Sequence, residues 1–381
     1  MNKIKYLMVA MLAIMMGMNL TSCSDDDDDA KSNYEKYQQA VNDKVNQNKK
    51  HDNVILLVAF GSTWQQAFDT FDKIEAEYKA EFGSEWDVFL AFSSAICINQ
   101  AAAGENVEDE DYPAEVRNYY DPEHWLTAIG KAGYKQIVVQ SLQVIPGEEY
   151  RRVRDSYVKD FMNNRNNDFT EEYMHSIDGR VAVGTPLMAE REDVTKLANA
   201  LLNESDVKAA LQNDGIVAFM GHGNPEGYDY YGANARYTEL EEDFQALGKR
   251  CFVGTVDMED NFVDDVVARI KEAGISGGKV QLYPLMSIAG DHAHNDMADP
   301  DDDESWFSVF NAEDGFSATA YETNYPKNEA CYTKYKAGDE YIPALGERSA
   351  VRKLWMAHTR EAIAAVKAGK GMSTPTTAVE D

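Results

Sequence analysis

The sequence predicts an α/β protein built twice, each half a parallel sheet of about four strands flanked by helices. Three observations predict it. Apolar runs of strand length alternate with amphipathic helical stretches, the pattern of parallel sheets covered on both faces. The runs fall into two successive sets of four. At the end of the third run, Leu142-Gln-Val-Ile-Pro-Gly-Glu-Glu149 lines up with Leu285-Met-Ser-Ile-Ala-Gly-Asp-His292 at the end of the seventh. Two buried strands resemble one another by composition alone, so the shared Ile-x-Gly-acid ending is what argues for duplication.

Taken in order, the chain opens with a targeting segment, residues 1–23. Lys3 and Lys5 precede an apolar stretch from Tyr6 to Met18, which suits a signal peptide and is short for a membrane span. The stretch ends in Leu20-Thr-Ser-Cys23, which resembles a bacterial lipobox, so Cys23 is expected to carry lipid and to anchor the protein without spanning the bilayer. The expected location is extracytoplasmic, facing the periplasm or the cell surface. Asp25 to Asp29 repel one another, and residues 24–50 are expected to form an acidic tether and linker with at most one frayed helix. The first domain is assigned to 51–188, with strands in 54–62, 87–94, 136–147 and 180–187 and a helix from Trp64 to Phe82. The second is assigned to 189–345, with strands in 215–223, 251–258, 279–290 and 317–324 and a helix from Asp260 to Ala273. A helix over 346–369 and a disordered tail over 370–381 complete the chain.

Composition narrows the function. A formal charge of −30 leaves nothing to neutralise a phosphate backbone, so general nucleic-acid binding is excluded. Cys97, Cys251 and Cys331 have no tight spacing and are expected to be buried free thiols. There is no GK[ST] phosphate loop, GxSxG elbow or HExxH zinc motif. Asp299-x-Asp301-x-Asp303 lacks the glycine and closing glutamate of a calcium loop and reads as a solvated acidic turn.

The histidines point to chemistry. His51, His124, His175 and His358 stand without partners in sequence and are read as structural or surface groups. His222 ends a strand inside Gly221-His-Gly223, His292 ends another inside Ala-Gly-Asp-His-Ala, and Asp257 ends the strand between them in sequence. Ligands collect beyond the carboxyl ends of the strands in such sheets. Two imidazoles and a carboxylate there would make an open site for a first-row divalent metal.

At this point a family can be compared. VAFGST (58–63), AFSS (91–94), VVQSLQVIPGEEY (138–150), GHGNP (221–225), FVGTVDM (252–258), LYPLMSIAGDHAHNDMA (282–298), SW (305–306) and LGERSAVRKLWMAH (345–358) resemble the sirohydrochlorin cobaltochelatases of the anaerobic cobalamin pathway. The resemblance runs in order over about residues 52 to 368. It implies a class II chelatase, related in fold to ferrochelatase, with a cleft between two similar domains. Such enzymes need no ATP and insert cobalt, or iron, into a tetrapyrrole. The resemblance places metal-binding and catalytic roles on His222 and His292 and an acidic metal ligand on Asp257, where the family usually has Glu.

Several positions depart from the family's pattern. Met258 replaces a small residue, and His294 stands where an apolar residue is usual and could be an added ligand. The stretch after AFSS is not basic and runs into an acidic insertion at 105–115. Arg151, Arg152 and Arg154 are the densest basic group and could meet the carboxylates of a tetrapyrrole, although charge runs more often lie on a solvated helix face. Tyr228, Tyr230, Tyr231 and Tyr237 could stack on a macrocycle, although packing is the commoner use of aromatics. Two function classes follow: a metal chelatase acting outside the cytoplasm, or a lipoprotein that captures haem or another tetrapyrrole at the cell surface, with or without removing its metal. A metal scavenger that never meets a macrocycle is a third. Homo-oligomerisation is left open.

Overall fold

A computed structural model describes residues 33–104, 115–336 and 338–374, apart from the side chains of Gln65 and Tyr230. Cys23, the acidic run after it, all but the last residue of the acidic insertion and residues 375–381 lie outside the described residues. Eight strands form two four-stranded sheets. β1 (Asn53–Ala59), β2 (Asp87–Phe92), β3 (Gln136–Ser141) and β4 (Val181–Gly184) are ordered β2-β1-β3-β4. β5 (Ile216–Gly221), β6 (Cys251–Thr255), β7 (Gly278–Pro284) and β8 (Phe316–Thr319) are ordered β6-β5-β7-β8. Every pairing is parallel. The duplication read from the third loops is therefore a duplication of topology.

Alternation along the central strands explains the layers. Ile55, Leu57 and Ala59 of β1 face one core, while Val54, Leu56 and Val58 face another, because successive side chains leave opposite faces of a strand. In β5, Val217 and Phe219 join the first of these cores, while Ile216, Ala218 and Met220 face a third. One continuous core thus lies between the two sheets, and each sheet has its own outer core. A satellite cluster of Tyr325, Tyr332, Tyr335 and Tyr341 fills the segment after β8.

Two assignments at the ends need correction. The linker expected over 24–50 contains α1 (Asn33–Asn48), an ordered helix that packs on α4 (Pro122–Lys131). Its buried stripe is Gln38, Val41 and Val45, only two of them apolar, so the period was hidden among polar residues. The tail expected to be disordered from 370 is tied down at its start. Met372 bridges Val181, and the Thr374 amide donates to Asp178 at 2.8 Å.

The other principal helices are α2 (Gln65–Phe82), α3 (Ala95–Ala103), α5 (Arg191–Asn203), α6 (Ala235–Ala246), α7 (Val263–Glu272) and α8 (Ser349–Lys367). Although it follows the second half, α8 packs on β3 and β4 of the first. Its Arg352 grips Glu77 through two hydrogen bonds of 2.7 and 2.8 Å, and its Trp355 is fully buried. The fully buried Arg348, just before α8, is matched by Asp206 at 2.8 and 2.9 Å, which meets the need of a buried charge for a hydrogen-bonded partner. Both halves are therefore stapled from outside the sheets. Cys97, Cys251 and Cys331 are free and buried. No described helix is long and apolar enough to cross a membrane.

Candidate active site

The site is assembled by the carboxyl ends of β5, β6 and β7. After β5 the chain must turn sharply beside β6, and glycine makes this feasible. A Cβ on Gly221 would lie 2.3 Å from the Tyr237 ring, and Gly223 sits at φ +80°, where a Cβ would also meet the Met258 backbone at 2.8 Å. The turned segment accepts hydrogen bonds from the end of β6: Val256 N–H donates to Gly221 at 3.1 Å and Asp257 N–H to His222 at 2.9 Å. His222 and Asp257 are thereby side by side. From β7, Leu285 N–H donates to Met220 at 2.7 Å, and the following loop leads to His292 at the head of a π-helical turn, Ala293–Met297. Such turns recur at functional sites because they re-aim side chains.

The two imidazoles meet edge to face, with ring centroids 4.8 Å apart and planes at 88°. Each ring has its Nδ1 engaged. That of His222 is 2.8 Å from the Gly223 carbonyl, which can only accept, so Nδ1 carries the proton and Nε2 the lone pair. That of His292 donates to the Asp296 carboxylate at 2.7 Å. Fixing one ring nitrogen this way orients the other for a ligand. Two metal–nitrogen bonds of ~2 Å would suit this spacing. Asp257 Oδ2 lies 3.5 Å from Nδ1 of His222, behind the imidazole rather than beside its Nε2. Among the described residues, no three His, Cys, Asp or Glu side chains converge as a group that could hold a metal. In this arrangement Asp257 steers His222, and the imidazole pair is the open element.

Electrostatics separates the two rings. The His222 side chain is 51% exposed, yet protein atoms surround the ring densely. That desolvation, with the neighbouring His292, pulls its pKa down against the field of Asp257. Burial also pulls on His292, but the hydrogen bond and charge of Asp296, with Asp257 and Asp291, outweigh it and hold its pKa above the ordinary value. One imidazole is kept neutral and the other is made the better base, a division that suits acid–base work.

The remaining predicted residues are placed differently. His294 does not join the imidazole pair. Its ring stacks on Trp64 of the first half at 3.7 Å and 7°, its Nε2 is buried without a hydrogen-bond partner, and burial pulls its pKa down to about 4. Arg151, Arg152 and Arg154 do not present one cationic face. Arg154 is held by Asp155 through two 2.8 Å hydrogen bonds, Arg152 lies over Tyr157, and Arg151 reaches across to Tyr231. Tyr237 is buried, its hydroxyl accepting from Gly223 N–H at 3.3 Å, whereas Tyr231 is 76% exposed. His124 and His358 are buried beside Asp121 and Asp193, as structural histidines should be.

Sequence reasoning passed over two acids. Asp296 stands four residues after His292, a helical spacing that could have flagged it as the orienting partner. Glu149 is the second acid of the PGEEY segment. Its carboxyl accepts from Ser93 Oγ at 3.3 Å, and burial pushes its pKa up.

Comparison with known proteins identifies the family. A model of the family described as cobalt chelatase (CbiK) matches residues 53–364. The chain is 28% identical over 312 residues to the sirohydrochlorin cobaltochelatase of Salmonella typhimurium, covering 81% of this chain and 96% of that one. It is 30% identical over 260 residues to sirohydrochlorin cobaltochelatase CbiKC of Nitratidesulfovibrio vulgaris, covering 68% and 79%. The solved structure of SirB from Bacillus subtilis with Fe3+ shares the fold at a TM-score of 0.50 and 12% identity, covering 85% of this chain and 99% of that one. With eight parallel strands in two matched sheets and a family match over most of its length, the chain belongs to the cobalt chelatase (CbiK) family.

Proposed function

We propose that the protein inserts a divalent metal, cobalt first and iron second, into sirohydrochlorin or a close tetrapyrrole, with metal and macrocycle both as substrates. The observation that carries this reading is the imidazole pair with both Nδ1 atoms tied and the two basicities driven apart. Insertion exchanges two pyrrole N–H protons for one dication. His222, held neutral, offers the Nε2 lone pair that receives the metal. His292, backed by Asp296, accepts the two pyrrole protons in turn, passing the first to solvent before taking the second, and each time the imidazolium that forms has a carboxylate neighbour. Among the described residues, no third His, Cys, Asp or Glu side chain converges with the pair to close a coordination sphere, and an open sphere is what a metal in transit requires. ATP has no part in this exchange.

The test is direct. The purified protein, given metal-free sirohydrochlorin and cobalt, should convert the absorption spectrum to that of the metallated macrocycle without ATP. No conversion with cobalt or iron would refute the reading.

A second reading is favoured by the lipobox. A lipoprotein anchored through Cys23 outside the cytoplasm would lie apart from cytoplasmic cofactor synthesis, and the same imidazoles could bind haem and remove its metal. Haem incubated with the protein would then lose its iron. Release of the protein from membranes by Cys23→Ala would support the anchor, and an unchanged membrane fraction would refute it.

A further inference from the structure

The end of β1 in the first half carries an exposed aromatic residue at the position where the second half carries His222. The register makes the equivalence specific. Ser94 N–H donates to Phe60 at 3.0 Å as Asp257 N–H donates to His222 at 2.9 Å, and Leu142 N–H donates to Val58 as Leu285 N–H donates to Met220. Residues at the same register of matched sheets leave their strands in the same sense. Phe60 is 47% exposed and joins none of the buried cores. Ile96, in the first turn of α3, is 42% exposed. The backbone next to Phe60 approaches that turn closely: a Cβ on Gly61 would touch Cys97 Cβ at 2.8 Å, and Cys97 follows Ile96.

The segment after Phe60 meets the loop that carries His292. Two residues after Phe60, Ser62 Oγ lies 3.4 Å from where Gly290 would carry a Cβ, and Gly290 stands two residues before His292. The field of Asp291 reaches the Cys97 thiol, which it helps push up behind the larger effect of burial. An uncovered Phe and Ile this near the candidate site belong to no packed core, and exposed apolar groups beside a binding site mark ligand contact. A tetrapyrrole has two broad apolar faces and an acidic rim, so a face is what such a pair fits.

We infer that Phe60 and Ile96 form an apolar seat for one face of the tetrapyrrole, fixing its centre over His222 and His292. The inference rests on the chelatase reading and assigns the first half a positioning role. Removing the aromatic face should weaken macrocycle binding about tenfold, the scale of one ring stacked on an aromatic side chain.

The experiment measures binding of metal-free sirohydrochlorin by tryptophan quenching, and separately cobalt binding without macrocycle by calorimetry. Phe60→Ala is expected to raise the macrocycle Kd and the KM about tenfold, with cobalt affinity unchanged. Ile96→Ala should raise the Kd severalfold, and Phe60→Tyr should restore it. If the unaltered protein binds the macrocycle and Phe60→Ala binds it equally well, the seat is overturned while the chelatase reading stands. If the unaltered protein binds no macrocycle, both fall. Loss of cobalt binding in Phe60→Ala would also overturn the seat, by showing that the residue supports the imidazoles instead.

Discussion

The first and second halves share a hydrogen-bond register down to the residues that leave their strands, yet only the second carries the imidazoles. Where the second half has His222, Asp257 and His292, the first has Phe60, Ser94 and Glu149. Both third strands lead into π-helical segments, Arg152–Val158 and Ala293–Met297. The latches between halves are matched too. Gly290 packs against Ser62 as Gly147 packs against Asn224. His294 stacks on Trp64, and at the corresponding place Arg151 lies over Tyr231. The shared backbone therefore builds two equivalent rims, and side chains alone divide the work. Ser94 has become a helix cap whose Oγ accepts from Cys97 N–H at 3.4 Å, an ordinary structural duty. A duplicated scaffold can thus give one half to metal and protons and leave the other for the macrocycle.

The largest expected effect comes from removing the imidazoles that set the second half apart. His222→Phe and His292→Ala should each cut cobalt insertion by roughly 10³-fold, within the range for losing a positioned acid–base group. Circular dichroism should show the fold kept. The reverse change, Phe60→His, should leave calorimetry at one cobalt per chain, because Ser94 supplies no carboxylate behind the new ring. A second bound cobalt would break the comparison.

Next in size is Asp257. Asp257→Ala should weaken cobalt binding by ~10-fold, as removal of an orienting neighbour of a metal-binding His does. Asp257→Glu should retain the affinity or raise it. Indifference to both changes in calorimetry would remove Asp257 from the site.

Asp296→Asn sharpens the division between the two imidazoles. Asp296 holds the pKa of His292 up, and burial remains when the charge is removed, so the pKa must fall. A proton acceptor works only when neutral. The acid limb of the insertion rate should therefore move to lower pH in the variant, and a pH–rate profile checks it. A limb that stays in place would assign it to another group.

The smallest effects belong to the latches. Trp64→Ala removes a partly buried stacked ring and should cost about 2 kcal/mol, below the range for a fully buried aromatic. Tyr231→Ala removes an exposed cation–π contact and should cost under about 1 kcal/mol. Urea unfolding of both variants compares them.

Much of this was legible in the chain itself. Apolar runs bounded by helical periods give the eight parallel strands, because a strand buried on both faces must be apolar throughout. The glycines around His222 and the placement of His222, Asp257 and His292 after strands mark the candidate site, because strand ends are where a doubly covered sheet opens to ligands. What tertiary structure decided were matters of direction and partnership. His294 reads like His292 in the string, yet packing turns it onto Trp64, since neighbouring helical residues face different ways. The three arginines look like one basic patch, but where the α-helical turn passes into the π-helical segment they part, to Asp155, Tyr157 and Tyr231. The α1 helix hides its docking face behind two valines. Phe60 gains its meaning only when two sheets are laid on one register. Residue types set which elements form and which chemistry is on hand. Which groups meet is set by contacts between residues far apart in the chain, and no local pattern encodes those.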